Sequence, residues 1–200
     1  MIFLHKIKSF NLSLLLNYII GFFYTKLFYA KAKLIRRPFY LRNEGKFIFE
    51  RGLSLGPSSL IEIFGCKSKL IIGKNFSAYV NLHIGCCNHI SIGDNVLVAS
   101  NVYISDHLHG FYKNIDSSII SDPHTEPLKR EISTDPITIG NNVWIGEGVK
   151  ILPGVNIGSG SIIGAGSVVS KNIPKNSICV GIPAKPIKKF DLENNVWVKI

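Results

Sequence analysis

The sequence has few cysteines, and they follow none of the common metal-binding or disulfide patterns. No Cys-x-x-Cys pair occurs, and two of the four cysteines are adjacent: Cys66, Cys86, Cys87 and Cys179. This spacing argues against a zinc ribbon and against a small secreted domain stabilised by disulfides. We therefore expect small, buried thiols in a reducing compartment.

Acidic residues are also scarce. The chain of 200 residues has 13 Asp and Glu against 23 Lys and Arg, which gives a formal net charge of +10. Such an excess indicates an anionic partner, for example phosphate groups or a membrane surface. Residues 1–50 carry nine of the basic residues and only two acidic ones. Because no recognised nucleic-acid-binding motif accompanies this charge, we expect no nucleic-acid partner.

The sequence has no clear membrane-spanning segment. An uncharged apolar stretch, residues 9–25, is interrupted by Asn11 and Asn17 and is shorter than the roughly 20 residues that a span requires. Its aromatic residues and the basic residues that follow favour a helix docked on the protein or lying at a membrane surface. A true span and a cleaved signal peptide remain alternatives, the latter because residues 30–32 have the small-x-small form.

What the sequence does contain is a repeat of six residues. Between residues 137 and 173 a branched apolar residue recurs at every sixth position: Ile139, Ile145, Ile151, Ile157, Ile163 and Val169. On an α-helix these side chains would point in three directions and form no apolar stripe. The glycines that follow many of them are turn formers, unsuited to one long strand. The pattern predicts a short strand and a corner, repeated, which is typical of a parallel β-helix.

The repeat begins earlier and is interrupted once. Residues 72–75, 84–85 and 92–95 resemble the later repeats, and the eight-residue gap from Ile84 to Ile92 predicts one longer corner. Between Ile104 and Ile139 the rhythm fails, which predicts a loop excursion over about 105–136, and such excursions are often functional. We therefore divide the chain into an apolar and basic N-terminal segment (1–45), a β-helix domain (46–184) and a C-terminal tail (185–200).

Two stretches resemble the hexapeptide-repeat acyltransferases. Residues 139–189 are similar to the C-terminal half of these enzymes: IGNNVWIGEGVKILPGVNIGSGSIIGAGSVVSKNIPKNSICVGIPAKPIKK. Residues 92–110 are similar to the stretch that carries their catalytic histidine: IGDNVLVASNVYISDHLHG. The likeness is greatest to bacterial polysaccharide O-acetyltransferases and covers about residues 34–190. It implies an all-β, left-handed parallel β-helix with about three hexapeptides per coil, a homotrimer, and acetyl-CoA in the groove between two subunits. The apolar stretch before the matched residues predicts a short N-terminal helix.

The expected chemistry needs a general base, because an alcohol is a weak nucleophile near pH 7. Histidine suits this role, since its pKa of about 6.5 leaves much of it neutral. The resemblance assigns the role to His107, and His109 is the competitor. Asp106 would orient the imidazole only if the backbone turns there, because neighbouring residues on a strand point to opposite faces.

The resemblance also implies binding residues. Contacts to acetyl-CoA would come from the C-terminal half, where lysines suit its phosphates: Trp144, Ala165, Ser170, Lys171, Lys185 and Lys188. Relatives often have arginine where Lys185 and Lys188 stand. The acceptor would contact residues near the middle of the chain: Tyr79, Asn81, His83 and His109.

These observations together predict a cytoplasmic O-acetyltransferase that needs no metal and uses acetyl-CoA. It would act by direct attack of a sugar hydroxyl, on a surface polysaccharide or its lipid-linked precursor. An N-acetyltransferase acting on an amino sugar or nucleotide sugar is an alternative. A zinc-dependent β-helix carbonic anhydrase is another, because His89 and His107 are separated by one coil of 18 residues. The sequence does not identify the acceptor sugar.

Overall fold

Three parallel sheets, here called A, B and C, form the faces of a triangular column. The computed structural model describes residues 11–112 and 120–200. The first ten residues of the N-terminal segment, and residues 113–119 of the expected loop, therefore lie outside the described residues. Each coil contributes one strand to each sheet in turn, and equivalent strands of successive coils pair in parallel. The left-handed β-helix of about seven turns confirms the predicted fold class.

The strands follow the coils in chain order. The first three coils contain β1 (Leu34–Ile35), β2 (Phe39–Asn43), β3 (Lys46–Phe49), β4 (Ser54–Leu55), β5 (Ser59–Ile63), β6 (Lys69–Ile72), β7 (Ser77–Ala78), β8 (His83–Cys86) and β9 (His89–Ile92). The fourth coil contains β10 (Leu97–Val98), β11 (Tyr103–Ser105) and β14 (Ile137–Ile139), with an excursion between the last two. The remaining coils contain β15 (Trp144–Ile145), β16 (Lys150–Ile151), β17 (Asn156–Ile157), β18 (Ile162–Ile163), β19 (Val168–Val169) and β20 (Ser177–Val180).

The six-residue series forms the centre of the column. All six of its members are buried, together with most of the other apolar residues that face inward from the strands. Asparagines occupy several corners with positive φ and stack from coil to coil; the amide of Asn75 donates to Asn95, and that of Asn95 donates to Asn142. Short polar side chains tolerate this backbone region better than branched ones do. The corners are thus tied along the axis by side-chain as well as backbone hydrogen bonds.

The coils differ in length more than the hexapeptide pattern indicates. Trp144 pairs with Ile162, which is 18 residues away, the length of three hexapeptides. In the N-terminal half, by contrast, Ser54 pairs with Ser77, 23 residues away. The extra residues lie between Ser59 and Ile72, in the longer strands β5 and β6 and in the corner that joins them.

The helix α1 (Leu12–Phe28) lies against the first coil. The Thr25 hydroxyl donates to the Gly21 carbonyl and accepts from the Ile35 amide at 2.7 Å, so it satisfies a backbone group at the exposed end of sheet A. Gly21 allows this approach, because a Cβ there would lie 3.0 Å from the Ile35 carbonyl oxygen. No helix in the described part of the chain is both long enough and apolar enough to cross a membrane.

Both expected domain boundaries fall between consecutive strands that belong to the sheets of the column. The strands β1 and β2 pair with the second coil, so the column begins at Leu34, before the expected boundary at residue 46. These strands lack the Ile-Gly corners that mark the later repeats, and the hexapeptide pattern therefore missed them. At the other end, β21 (Lys185–Asp191) and β22 (Val196–Lys199) extend sheet A in antiparallel pairing, and Trp197 packs on Phe190 with ring centroids 5.1 Å apart.

The excursion of the fourth coil is a two-stranded arm. The strand β12 (His107–His109) pairs antiparallel with β13 (Ile132–Thr134), and a 3-10 helix (Pro127–Lys129) precedes the second strand. The amide of Asp135 donates to the Asp106 carbonyl at 2.8 Å, which closes the base of the arm. The arm therefore begins at the residue directly before His107.

Candidate active site

The imidazole of His107 lies on the outer surface of sheet B, where the arm leaves the column. Its Nδ1 atom is 3.1 Å from Ser105 Oγ and 3.6 Å from Asp106 Oδ1. Phe64 from the second coil meets the ring edge to face, with centroids 6.0 Å apart. The side chain is thus held on several sides and is only 17% exposed.

Asp106 is the most completely buried charged group of this site, with an exposed fraction of 0%. Its two carboxylate oxygens accept hydrogen bonds from the backbone amides of Cys87 and Asn88, at 2.7 and 2.9 Å. Burial raises the pKa of this carboxyl, but the interaction with His107 and the two amide hydrogen bonds outweigh burial and hold the pKa below its usual range. Asp106 therefore remains a carboxylate at neutral pH.

The backbone bends at Asp106, between β11 and β12. On the sequence alone, Asp106 was expected to orient the imidazole of His107 only if the backbone turns here. The bend provides this turn, because it brings the carboxylate and the imidazole to the same side of the chain. The distance of 3.6 Å is that of an ion pair and is too long for a hydrogen bond. Ser105 Oγ is the nearer partner of Nδ1.

Gly85 makes room for the ring. It lies inside β8, where it pairs with Glu62 on one side and with Ser105 on the other. A Cβ at this position would be 3.0 Å from Cε1 of His107. A glycine inside a strand often marks such a close approach.

His109 has a different environment, although it shares a face of β12 with His107. Its side chain is exposed, and within the described residues its ring makes no hydrogen bond or ion pair; only its carbonyl accepts a bond, from the Tyr112 hydroxyl. In the described residues, the His109 ring has no neighbours that hold its orientation. The His107 ring does have such neighbours, namely Ser105, Asp106 and Gly85. The geometry favours His107 as the base.

Three candidate metal ligands meet at this site. Cys87, Asp106 and His107 each offer one ligand atom, and these atoms lie within 4.8 Å of one another. Burial and the Asp106 charge raise the pKa of the Cys87 thiol to about 11, which disfavours the thiolate that binds metals. Within residues 11–112 and 120–200, no other group of three candidate metal ligands lies this close together. One chain therefore does not form, in these residues, the three-histidine zinc site of a β-helix carbonic anhydrase.

Comparisons with known proteins agree with this architecture. Residues 136–171 match the family model described as bacterial transferase hexapeptide (six repeats), and residues 85–106 match the hexapeptide repeat of succinyl-transferase. The chain is 34% identical over 175 residues to the putative lipopolysaccharide biosynthesis O-acetyl transferase WbbJ of Escherichia coli K12, with 88% of each protein covered. The protein belongs to the hexapeptide-repeat acyltransferase family.

Two solved structures of acetyltransferases resemble the chain as well. A galactoside acetyltransferase in complex with coenzyme A is 34% identical with a TM-score of 0.51, and the match covers 78% of this chain and 66% of that one. A maltose O-acetyltransferase from Clostridium difficile 630 is 30% identical with a TM-score of 0.51, and 90% of each chain is covered. The fold is therefore shared with acetyltransferases over most of the length of this acyltransferase.

The residues expected to bind acetyl-CoA lie in two groups on the acyltransferase. Trp144 is on the outer face of sheet A, 49% exposed, and pairs with Leu97 and Ile162. Three more residues lie in sheet A or at the corner between sheets A and B: Ala165, Lys185 and Lys188. The other two, Ser170 and Lys171, follow β19 and lie at the opposite edge of sheet B.

The expected acceptor residues are divided in a similar way. His83 Nε2 is 3.2 Å from a carboxylate oxygen of Glu62, and the His83 ring packs on Tyr103. The side chain thus faces outward on sheet B, close to the His107 ring. Asn81 is a corner residue with positive φ whose amide donates to Asn101. Tyr79 is exposed near the outer face of sheet A. One chain therefore places His83, and His109 two residues along β12, near His107, whereas Tyr79 and Asn81 lie elsewhere on the column.

Sequence reasoning missed several residues of this site. Gly85 had been assigned to a corner, although it lies inside a strand, and Glu62 had not been considered. The eight-residue gap from Ile84 to Ile92 predicted a longer corner, and this prediction is wrong: the strands β8 and β9 are longer instead, and the corner between them consists only of Cys87 and Asn88. This short corner supplies the two amides that bind Asp106. Nothing in the sequence indicated that Ser105 belongs to the site, because a serine at the end of a short strand is not part of any distinctive motif.

Proposed function

We propose that the protein is an acetyl-CoA-dependent O-acetyltransferase that modifies a sugar hydroxyl of a surface polysaccharide or of its lipid-linked precursor. The observation that carries this proposal is the imidazole of His107, held by Ser105 and by the buried carboxylate of Asp106. The similarity to WbbJ, whose name refers to lipopolysaccharide biosynthesis, supports the class of acceptor. Because acetyl-CoA is used, we place the reaction in the cytoplasm.

The arrangement around Nδ1 selects the tautomer of His107 that acts as a base. Ser105 Oγ lies 3.3 Å from the His107 carbonyl oxygen and donates its proton there. Its lone pairs then accept from Nδ1–H at 3.1 Å. This leaves Nε2 unprotonated and able to accept a proton from the acceptor hydroxyl. The Asp106 carboxylate stabilises the imidazolium that forms, as a nearby opposite charge does.

The transfer then needs no acyl-enzyme. As Nε2 takes the hydroxyl proton, the sugar oxygen attacks the thioester carbonyl and forms a new C–O bond. The tetrahedral oxyanion collapses, the C–S bond breaks, and the imidazolium returns its proton to the leaving sulfur. The products are an acetyl ester and free coenzyme A.

Acetyl-CoA would be held by the residues that the resemblance indicates. The lysines suit the phosphates of the cofactor; Lys171 and Lys185 are exposed, and Lys188 is half-buried. Beside Ala165 the backbone is open, since a Cβ on Gly166 would meet no atom within 4 Å. Trp144 offers a flat apolar wall, and Ser170 a further hydroxyl.

We also propose that the active site is completed in a homotrimer. Trp144 lies on sheet A, whereas His107 lies over sheet B, so the two occupy different faces of one column. A neighbouring copy brings such faces together, and it covers the exposed apolar side chains of sheet A, among them Leu97 and Ile187. Light scattering should give about three times the chain mass of 22.2 kDa.

Complementation tests this arrangement. His107→Ala and Trp144→Ala should each be inactive or impaired, and unfolding and refolding the two variants together should produce mixed trimers. If the site uses residues of two subunits, mixing restores part of the activity. If each chain holds a complete site, mixing restores none.

The helix α1 suits a membrane surface. Its apolar side chains are largely exposed, for example Phe23 at 66% and Leu27 at 76%, and basic residues follow it from residue 26 to residue 37. We propose that it holds the enzyme beside a lipid-linked acceptor. Replacing Phe23 and Leu27 by Gln should abolish flotation with anionic vesicles, while leaving the Thr25 contact to the column intact.

The reaction itself is tested with labelled acetyl-CoA and a panel of glycans. We expect label in a sugar product that mild alkali releases, since an ester is alkali-labile. An alkali-stable product would identify an amide and favour an N-acetyltransferase. Turnover that persists in His107→Ala would contradict the proposed base.

A further inference from the structure

A cavity lies between helix α1 and the outer face of sheet A, and none of the residues around His107 lines it. It has a volume of about 180 Å³. Its polar wall consists of Tyr18 from the helix, Arg36 after β1, Ser54 and Ser77 from the next two coils, and Tyr79 at a corner. Neither the family resemblance nor the base and cofactor residues account for this cavity, although Tyr79 is an expected acceptor contact.

Arg36 gives the cavity its charge. Its guanidinium lies over the Tyr18 ring, 5.1 Å from the centroid, and Nη1 donates to the Tyr18 hydroxyl at 3.3 Å. In the part of the chain that the structure describes, Arg36 forms no ion pair, whereas Arg42 is held by Glu44 at 2.8 Å. Arg36 is also half-buried. A half-buried cation without a carboxylate partner favours an anionic ligand.

The two serines add neutral donors. Neither Ser54 nor Ser77 makes a side-chain hydrogen bond within residues 11–112 and 120–200, and both hydroxyls belong to the cavity wall. Donors thus come from the sheet below and from Arg36 at the side. A phosphate group has more acceptor oxygens than a carboxylate, so it can accept from Arg36 and from both hydroxyls at once.

The size of the cavity fits one charged group. A water molecule occupies about 30 Å³ in the liquid, so 180 Å³ corresponds to about six waters. Pockets that enclose whole ligands usually measure about 300–1,000 Å³. The cavity is therefore large enough for a phosphate group and too small to enclose the remainder of a sugar ligand.

Its position connects it to the proposed reaction. Ser54, Ser77, Leu97 and Trp144 pair in register along one column of sheet A. With strands about 4.8 Å apart, Ser77 and the expected cofactor wall at Trp144 are separated by roughly 10 Å. In the proposed homotrimer, where a neighbouring copy brings its sheet B toward this face, a ligand anchored at Arg36 and extending between the two copies would approach the acetyl group from the side opposite to the rest of coenzyme A.

We propose that this cavity binds a phosphate group of the sugar acceptor, with Arg36 as its main ligand and the Ser54 and Ser77 hydroxyls as supporting donors. The inference rests on the proposed function for the identity of the acceptor, but phosphate binding is measured independently of acetyl transfer. The phosphate belongs to either a lipid-linked sugar or a soluble sugar phosphate. The two sources share the same chemistry at Arg36.

The first test measures binding to the full-length protein. Glucose 1-phosphate is titrated and followed by phosphorus NMR, with glucose as the uncharged counterpart followed by proton NMR. Arg36→Ala should weaken phosphate binding by at least about tenfold, which is about 1.4 kcal/mol and the scale of one hydrogen bond to a charged group. Binding of glucose should not change.

Arg37→Ala is the matched control. Arg37 lies over the ring of Tyr24 at 5.2 Å, so its substitution removes the same charge and the same type of contact to α1, but Arg37 does not line the cavity. Phosphate binding by this variant should equal that of the wild type. Equal weakening in both variants would overturn the proposal, because it would show a general effect of charge.

A second variant guards against loss of folding. Arg36 also anchors α1 through Tyr18, so Arg36→Ala is first compared with the wild type by thermal unfolding. Ser77→Ala leaves that anchor intact and should weaken phosphate binding severalfold. Wild-type affinity in Ser77→Ala, together with unchanged affinity in Arg36→Ala, contradicts the site.

The source of the phosphate is distinguished with vesicles. Neutral phosphatidylcholine vesicles with and without a polyprenyl phosphate are compared by flotation. Retention that requires both the polyprenyl phosphate and Arg36 assigns the site to a lipid-linked acceptor; binding of glucose 1-phosphate alone assigns it to a soluble one. No phosphate-dependent binding to either probe refutes the site. If phosphate binding depends on Arg36 but no sugar hydroxyl is acetylated, the proposed function fails while the site stands.

Discussion

Substitution of Gly85 by alanine tests whether the position of the His107 ring, the proposed base, matters for catalysis. It changes no group that would react. The new Cβ would lie 3.0 Å from Cε1 and 3.7 Å from Nδ1 of His107. Carbon atoms prefer separations of about 3.5–4.0 Å, so the ring must move outward by about 0.5 Å or more. The same methyl group would be 3.8 Å from Ser105 Oγ, an ordinary contact, so the imidazole bears most of the displacement.

The expected loss of rate follows from this displacement. Misplacing a reacting group by 1 Å can reduce the rate by about 100-fold. Half that distance should reduce kcat by about tenfold, or about 1.4 kcal/mol in activation free energy. Stability should change little, because replacing a strand glycine by alanine recovers about 0.5–1 kcal/mol of backbone entropy, which offsets part of the clash.

The assay is release of the coenzyme A thiol, measured for Gly85→Ala in both the wild-type and the His107→Ala backgrounds. If Gly85 acts only by positioning His107, the substitution lowers kcat in the first background and has no further effect in the second. Equal losses in both backgrounds, or wild-type kcat with a normal melting temperature, would refute the assigned role of Gly85.

Three further expectations concern the same site. His107→Ala should reduce kcat at least about 100-fold, as removal of a general base usually does, whereas His109→Ala should retain most activity in the same thiol-release assay. Because the folded-state pKa of Asp106 is lowered from 3.8, its stabilisation is present above about pH 4 and is lost as the pH falls through the lowered folded value. Asp106→Asn should therefore be less stable by about 1.5–3 kcal/mol at pH 7 in urea unfolding, with a smaller loss in acid. Iodoacetamide near pH 8 should alkylate the exposed Cys66 well before Cys87, whose pKa of about 11 keeps it a thiol, as peptide mass spectrometry would show.

The sequence predicted the column because its rhythm records which side chains face inward. Every member of the six-residue series is buried, and this depends only on local alternation between strand and corner. The pairing register between coils is set by strand and corner lengths that the rhythm does not contain. The first coil therefore carried no recognisable signal, and Gly85, which resembles a corner glycine in the sequence, lies in β8.

The proposed base, His107, could be chosen from the sequence only through resemblance. A histidine followed by another histidine two residues later gives no means of choosing between them by spacing. The choice depends on what surrounds each ring, and those neighbours come from different coils: Phe64 from the second, Gly85 from the third and Ser105 from the fourth. Contacts of this kind follow from stacking along the axis, which no single hexapeptide reveals.

Asp106 explains why the base is held firmly although it lies at the start of a long excursion. Its carboxylate binds the amides of Cys87 and Asn88 in the corner one coil below, and its carbonyl accepts the Asp135 amide that closes the arm. The residue that follows is His107, so the imidazole is attached to the column at the point where the arm begins. Sequence changes farther out on the arm can therefore alter acceptor contacts without displacing the base.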